Sequence, residues 1–264
     1  SGGRISYRAR EDGGQSPYEM NSVYLDALAG PGPEDRAREV DRFVAAHSIL
    51  MALAGVPLLY FHSLFGSRNW AEGAERSGRA RVINRQRFLR SDLEAELADP
   101  ASLRRQVLDR LLDRITTRAG QRAFHPDAAQ EIVDGGSSYL AVRRTPAADD
   151  TTVLCVHDVS GRAGRFRARP ADRLPPGATL VDLTDGSEHV VEADGTVDVT
   201  ATATPADPDL GGGFYAAFVA GAGDHELLRS THLLVAEDVA AQVQAHLAPM
   251  SDRQHRAPDP VQPP

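Results

Sequence analysis

Two short stretches carry side chains suited to holding a polar ligand. The first runs Asp12-Gly13-Gly14-Gln15-Ser16-Pro17-Tyr18-Glu19-Met20-Asn21, with turn formers ahead of a polar-aromatic cluster. A sugar or phosphate site uses such groups: the Tyr18 ring covers an apolar sugar face, while Glu19 and Asn21 reach hydroxyls. The same composition also suits a surface loop with one packed tyrosine. The second stretch is Ile83-Asn84-Arg85, preceded by Arg79 and Arg81. An arginine beyond the end of a β/α strand makes charge-assisted bonds to a carboxylate or to sugar hydroxyls. A solvated arginine-rich segment fits the same letters.

Other candidates carry less. His62 and Ser63 are adjacent, so on an extended chain they point apart, and no G-x-S-x-G elbow is present. His157-Asp158 falls in an apolar run expected to be an edge-type strand, where a structural histidine fits best. Cys155 sits at strand period among Val153–Val156 and reads as a small buried hydrophobe. The remaining histidines show no i, i+4 pair suited to a metal. No glycine-rich phosphate loop precedes a helix, and Gly211-Gly212-Gly213 opens a strand as a hinge or bulge.

These residues need elements to position them. Pro33–Leu53 is predicted as a helix. Pro33, Glu34 and Asp35 suit its start, and Val40, Phe43, Val44, His47, Leu50, Met51 and Ala54 follow the i, i+3, i+4, i+7 pattern. Gly55 ends it, and Leu58–Phe61 is expected to be a strand covered on both faces. His62 to Trp70 then lies at the carboxyl end of that strand, where active-site loops of β/α folds sit. Ser91–Ala98 and Leu103–Ile115 read as further helices. After His125-Pro126 the pattern becomes antiparallel β. Strands are expected at Ser138–Arg144, Thr152–Val159, Arg165–Arg169, Thr179–Leu183, His189–Glu192, Thr196–Ala203 and Gly213–Val219. A helix is expected at Glu237–Ala248 and a disordered tail from Met250.

Composition narrows the function classes. The 264 residues include 37 acids against 29 basic residues, every one an arginine, and one cysteine. Residues 1–125 hold 19 Arg and 16 acids; residues 126–264 hold 10 Arg and 21 acids, giving the overall −8. The acidic second half argues against a nucleic-acid partner. No apolar run approaches the ~18 residues of a membrane span, so a soluble, cytoplasmic protein without a membrane partner is expected. One cysteine excludes a disulfide framework within the chain. The opening Ser1-Gly2-Gly3-Arg4 has no Met and reads as a cut end.

Three stretches together resemble a known group. They are Ser16-Pro17-Tyr18-Glu19-Met20-Asn21 with Tyr24-Leu25-Asp26-Ala27-Leu28, Gly55-Val56-Pro57-Leu58-Leu59-Tyr60-Phe61-His62-Ser63-Leu64-Phe65-Gly66-Ser67-Arg68-Asn69, and Gly78-Arg79-Ala80-Arg81 with Ile83-Asn84-Arg85. Their order and spacing resemble the carboxyl-terminal part of sucrose phosphorylase-like enzymes. That group, which includes glucosylglycerate phosphorylases, lies in glycoside hydrolase family thirteen of the α-amylase superfamily. The likeness covers residues 4–125; the β part fits by position and type.

The resemblance implies an α/β plus all-β chain. Residues 1–125 form the last part of a (β/α)8 TIM barrel, residues 126–249 a small antiparallel β-sandwich domain, and residues 250–264 a tail. It implies a retaining transfer of glucose to phosphate, without metal or organic cofactor and with inorganic phosphate as co-substrate. Pro33–Leu53 corresponds to the seventh barrel helix and Val56–Phe61 to the eighth strand. Tyr18, Glu19 and Asn21 belong to the acceptor loop, and Asn84 and Arg85 to the donor subsite. The family's nucleophile Asp, acid/base Glu and stabilising Asp all precede Ser1, so no catalytic residue is assigned within the chain. A fragment inactive alone is expected, with the amino-terminal remainder of the barrel as partner and an exposed apolar surface on Val40–Phe61. A non-enzymatic carbohydrate-binding or interaction module, and a hydrolase or glucosyl-transferring relative, are the alternatives.

Overall fold

The computed structural model describes residues 2–28, 36–134, 136–147, 152–159, 164–169, 174–201 and 214–218. The helix expected at Glu237–Ala248, the tail from Met250 and the triple glycine lie outside these residues.

The chain opens with an antiparallel hairpin, β1 (Arg4–Ala9) and β2 (Gln15–Asn21). Part of the segment expected to be a loop is therefore a strand. Ile5 and Tyr7 alternate with polar residues, and Asp12-Gly13-Gly14 supplies the turn. Gly13 takes φ 80°, Arg10 N donates to Gly14 O at 2.8 Å, and Asp12 Oδ1 accepts from Gly14 N. A bulge between Ser6 and Tyr7 opposes two β2 residues to one, leaving Tyr18 without a cross-strand partner.

Among the described residues six helices follow: α1 (Tyr24–Ala27), α2 (Arg36–Ala52), α3 (Phe61–Leu64), α4 (Ala71–Ser77), α5 (Arg90–Ala98) and α6 (Leu103–Ala119). A 3-10 turn, Ala80–Asn84, lies between α4 and α5. α2 and α6 share a core of Val40, Phe43, Val44 and Met51 with Val107 and Leu111, which Leu25 completes. Each such burial contributes about 1.5–3 kcal/mol. α6 starts at Ser102, whose side chain accepts from Arg105 N. The expected α2 stripe holds except at Leu50, which is 39% exposed, and at Ala54, which is exposed beyond the end of the helix.

The strand expected at Leu58–Phe61 does not form. Residues 56–60 have no regular structure, reach extended backbone at Tyr60 and then enter α3, and their backbone joins no ladder. A strand exists only through a paired neighbour, and no described strand lies beside this segment. Leu59 packs inward onto the α2–α6 core, while Val56 and Leu58 are 81% and 84% exposed. The apolar exposure expected on Val40–Phe61 is thus confined largely to Val56–Phe61; α2 itself is covered.

Beyond a 3-10 turn at Arg122–Phe124 the chain is antiparallel β: β3 (Ala129–Val133), β4 (Tyr139–Thr145), β5 (Val153–Asp158), β6 (Gly164–Ala168), β7 (Thr179–Val181), β8 (Glu188–Val190), β9 (Val197–Ala201) and β10 (Phe214–Phe218). All seven expected strands appear, with their ends displaced by one or two residues, and β3 is added. One sheet runs β3-β4-β5-β10-β7-β8 and a ribbon pairs β6 with β9.

Strand parity separates two cores. Ala141, Leu154 and Val156 pack with Phe166, Val197 and Val199 of the ribbon. Val142, Val153 and Cys155 face the other way, onto Ala52, Ala123 and Phe124 of the helical part. β5 is covered on both faces, every residue buried. His157-Asp158 is therefore central, not edge-type: β4 and β10 flank it, and helices cover the face that His157 shares with Cys155.

Candidate functional site

The hairpin and the 3-10 turn meet through an ion pair. Arg81 Nε donates to Glu19 Oε2 at 2.8 Å. Glu19, with a smaller contribution from Tyr18, stabilises the Arg81 charge and raises its pKa. Tyr18, the bulged residue, is 52% exposed, and the Arg8 guanidinium stacks 4.6 Å from its ring centroid. The expected sugar-facing aromatic is thus on display, braced by cations.

Asn21 plays another part. It is buried, and its Nδ2 donates to Arg4 O and to Ser6 Oγ at 3.0 Å, tying β2 back to β1. Asn21, assigned to the acceptor loop from sequence, thus commits its Nδ2 to bonds within the hairpin.

Asn84 and Arg85 close the 3-10 turn. Ile83, wholly buried, anchors it, and Trp70 N donates to Ile83 O at 2.7 Å. The Tyr60 hydroxyl donates to Asn84 O at 3.3 Å, so the segment 56–60 also braces the turn. Arg85 is exposed at its end. The structure brings Tyr18 and Glu19 onto Arg81 of the turn that ends in Asn84 and Arg85, and sets Asn21 apart.

A second network fixes the approach. Asn69 Oδ1 accepts from Val23 N at 2.8 Å, and Asn69 N donates to Asp26 Oδ2 at 2.6 Å. Arg68 donates to Asp26 at 2.8 Å and makes a bidentate pair with Glu39. Every one of these acids is held by a cation or an amide, an arrangement for positioning rather than proton transfer. His62 bonds Ser67 Oγ at 3.0 Å, not Ser63, and Arg104 also donates to Ser67. Burial, then the Arg104 charge, lower its pKa, so His62 is a neutral packing residue. Likewise burial pushes the His157 imidazole down to about 3 and the Cys155 thiol up to about 12. Neither is available for chemistry near neutral pH. Among the described residues no group of three potential metal ligands exists, and no helix is long and apolar enough to cross a membrane.

Sequence reasoning missed Arg8 and treated Arg81 only as a neighbour. The alternation in Arg4–Ala9 was the available signal for the first; nothing local reveals the Glu19–Arg81 pair, 62 residues apart.

The chain is 40% identical over 160 residues to the glucosylglycerate phosphorylase of Spirochaeta thermophila, covering 60% of this chain and 27% of that protein. It is 38% identical over 146 residues to that of Escherichia coli, covering 55% and 26%. This chain is a relative of the glucosylglycerate phosphorylases. It spans about a quarter of the length of these relatives. No protein-family profile matches it. In fold it is similar to α-amylase-type enzymes. It superposes on AmyP crystallised with maltotriose at TM-score 0.56 and 16% identity, over 74% of this chain and 37% of that one. The α-amylase of Geobacillus thermoleovorans superposes at 0.51 and 14%, over 70% and 34%. The glucosylglycerate phosphorylase relatives and the α-amylase-like fold bear out the resemblance read from the hairpin, the Gly55–Asn69 stretch and the Ile83-Asn84-Arg85 turn.

Proposed function

We propose that this chain supplies acceptor-loop and donor-subsite residues to a retaining α-glucoside phosphorylase. In that reaction glucosylglycerate or sucrose and phosphate give α-glucose 1-phosphate. The observation that carries the reading is the display of Tyr18 beside the Asn84–Arg85 turn in a chain 40% identical to a glucosylglycerate phosphorylase. Three of the relatives carry glycerate in their names, which favours glycerate over fructose as acceptor.

In this reading Arg85 holds hydroxyls of the glucosyl unit, with Asn84 aiding, while Tyr18 and Glu19 shape the neighbouring acceptor space. The bond-forming Asp and proton-transferring Glu come from polypeptide beyond these residues, so the chain alone does not turn over. Residues 56–60 become a barrel strand when neighbouring strands pair with both of their unpaired edges. The outward apolar side chains Val56 and Leu58 are covered in the same step.

The test is a chimera in which the matching stretch of the Spirochaeta thermophila enzyme is replaced by that of this chain. Phosphorolysis of glucosylglycerate is expected, falling at least about a hundredfold in Arg85→Ala, the scale of one lost charge-assisted contact or two. Release of glucose 1-phosphate by the isolated chain, or an Arg85→Ala chimera as active as its parent, overturns the reading.

A further inference from the structure

We infer that Asn69 is the positioning residue that sets the hairpin against the 3-10 turn, and through it the place of Tyr18 and Glu19 relative to Asn84 and Arg85. The contacts are independent of the phosphorylase reading; their consequence for turnover rests on it. The chain leaves β2 through Ser22 and Val23 before entering α1. Asn69 Oδ1 accepts from Val23 N at 2.8 Å, and Asn69 Nδ2 donates to Ser22 Oγ at 3.2 Å. One side chain thus grips two successive residues at the hairpin's exit.

The hairpin's other polar anchors are weaker. The bonds of Asn21 run within the hairpin and do not tie it to its surroundings. Arg4–Glu75 and Arg81–Glu19 reach α4 and the turn, but as exposed ion pairs they contribute little. Val23 is buried, and an amide that loses its acceptor away from water costs more than such a pair.

Asn69 is itself held firmly. Its backbone N donates to Asp26 Oδ2 at 2.6 Å, and its neighbour Arg68 pairs with Asp26 and Glu39, whose carboxylates are largely covered. Burial lowers the Arg68 pKa, but the bonds to Glu39 and Asp26 outweigh it and raise the pKa overall. Glu39 belongs to α2, which shares its core with α6. The hairpin's exit is therefore referenced to the helical core. With the Asn69 side chain removed, the polar contacts that remain between the hairpin and the rest are the two exposed pairs, and the distance from Tyr18 to the turn is no longer fixed.

Two measurements test this. The first follows hydrogen exchange of the Val23 amide in the full 264-residue chain, in the parent, Asn69→Ala and Asn69→Asp. Asn69→Ala is expected to speed exchange at least about tenfold, the scale of one hydrogen bond, while β4 and β5 amides keep their protection. Asn69→Asp keeps the acceptor oxygen and is expected to return the rate to within about threefold of the parent. The second uses the Spirochaeta thermophila chimera, run in the direction of glucosylglycerate synthesis. Asn69→Ala is expected to raise the KM for glycerate about tenfold and to leave the KM for glucose 1-phosphate within about twofold, with Asn69→Asp recovering most of the loss. Unchanged Val23 exchange, lost β4 and β5 protection, or two KM values rising together overturns the inference. An inactive parent chimera with the exchange effect present removes the phosphorylase reading alone and leaves the anchor standing. An active chimera whose KM for glycerate ignores Asn69→Ala removes only this inference.

Discussion

Arg144 holds the helical and β parts together, and its replacement has a cost that can be worked out. Its guanidinium is wholly buried. Nη1 donates to Ala52 O at 3.1 Å, and Nη2 donates to His125 O at 3.1 Å and Ala128 O at 3.3 Å. Arg144→Met keeps most of the stem's volume and removes every donor. His125 O is near enough to the surface to be rehydrated; the Ala52 and Ala128 carbonyls stay buried without a partner. Two orphaned carbonyls at about 1–3 kcal/mol each come to roughly 2–6 kcal/mol. Burial already disfavours the Arg144 charge, so its removal returns part of that, and a net loss of about 2–4 kcal/mol remains. The measurement is urea unfolding followed by far-ultraviolet circular dichroism, with the m-value checked for constancy. Arg90→Ala, which breaks an exposed pair with Glu94, is the control and is expected to cost less than about 0.5 kcal/mol. A methionine variant within about 1 kcal/mol of the parent refutes the reasoning, since the carbonyls must then find other donors.

Three further outcomes follow from burial. His157 takes its proton only near pH 3 when folded, against an ordinary value of 6.5, so the unfolded chain binds a proton that the folded chain refuses. Its contribution to stability is complete above about pH 6.5 and is lost on acidification toward pH 3, by up to ~1.4 kcal/mol per pH unit. His157→Gln flattens the stability–pH profile in that window, and parallel profiles sink the claim. Cys155, with its thiol pushed up to about 12 inside β5, resists a thiol reagent at pH 8 in the folded chain and reacts on unfolding; fast reaction in the native state contradicts this. Leu58→Ser leaves unfolding stability within about 0.5 kcal/mol because the side chain is already in water, while binding of a hydrophobic dye falls; a large stability loss shows that Leu58 packs.

The longer described helices α2, α5 and α6 and most of the β strands were legible because their signals are local; α1, α3 and α4, of four to seven residues, are too short to show a helical period and were not expected. The α2 stripe of Val40, Phe43, Val44 and Met51 repeats at helical period, and turn residues bracket β4 through β9. The hairpin was half hidden: a Gly-Gly turn and a proline made Asp12–Asn21 read as loop, though Ile5 and Tyr7 alternate across the partner strand. β3 escaped because its residues lie mostly exposed at the sheet edge and carry little apolar signal. Of the site, Tyr18, Glu19, Asn84 and Arg85 were named from resemblance, but only Tyr18 and Glu19 have a visible mutual arrangement, through Arg8 and Arg81. The bonds of Asn21 to β1 were not legible, because the sequence does not announce β1 as its neighbour.

Residue order alone determined where the longer helices and most of the later strands lie, which of their faces are apolar, and that residues near 125 divide two kinds of structure. Each rests on periodicity or turn chemistry within a few residues. Tertiary structure decided the rest. It buried β5 on both faces, making His157 and Cys155 inert. It paired Arg81 with Glu19 and left Arg8 with only the Tyr18 ring. It also left Val56–Tyr60 unpaired. Charge pairing, burial and strand pairing all depend on what lies across space, and a local pattern carries no record of its partner.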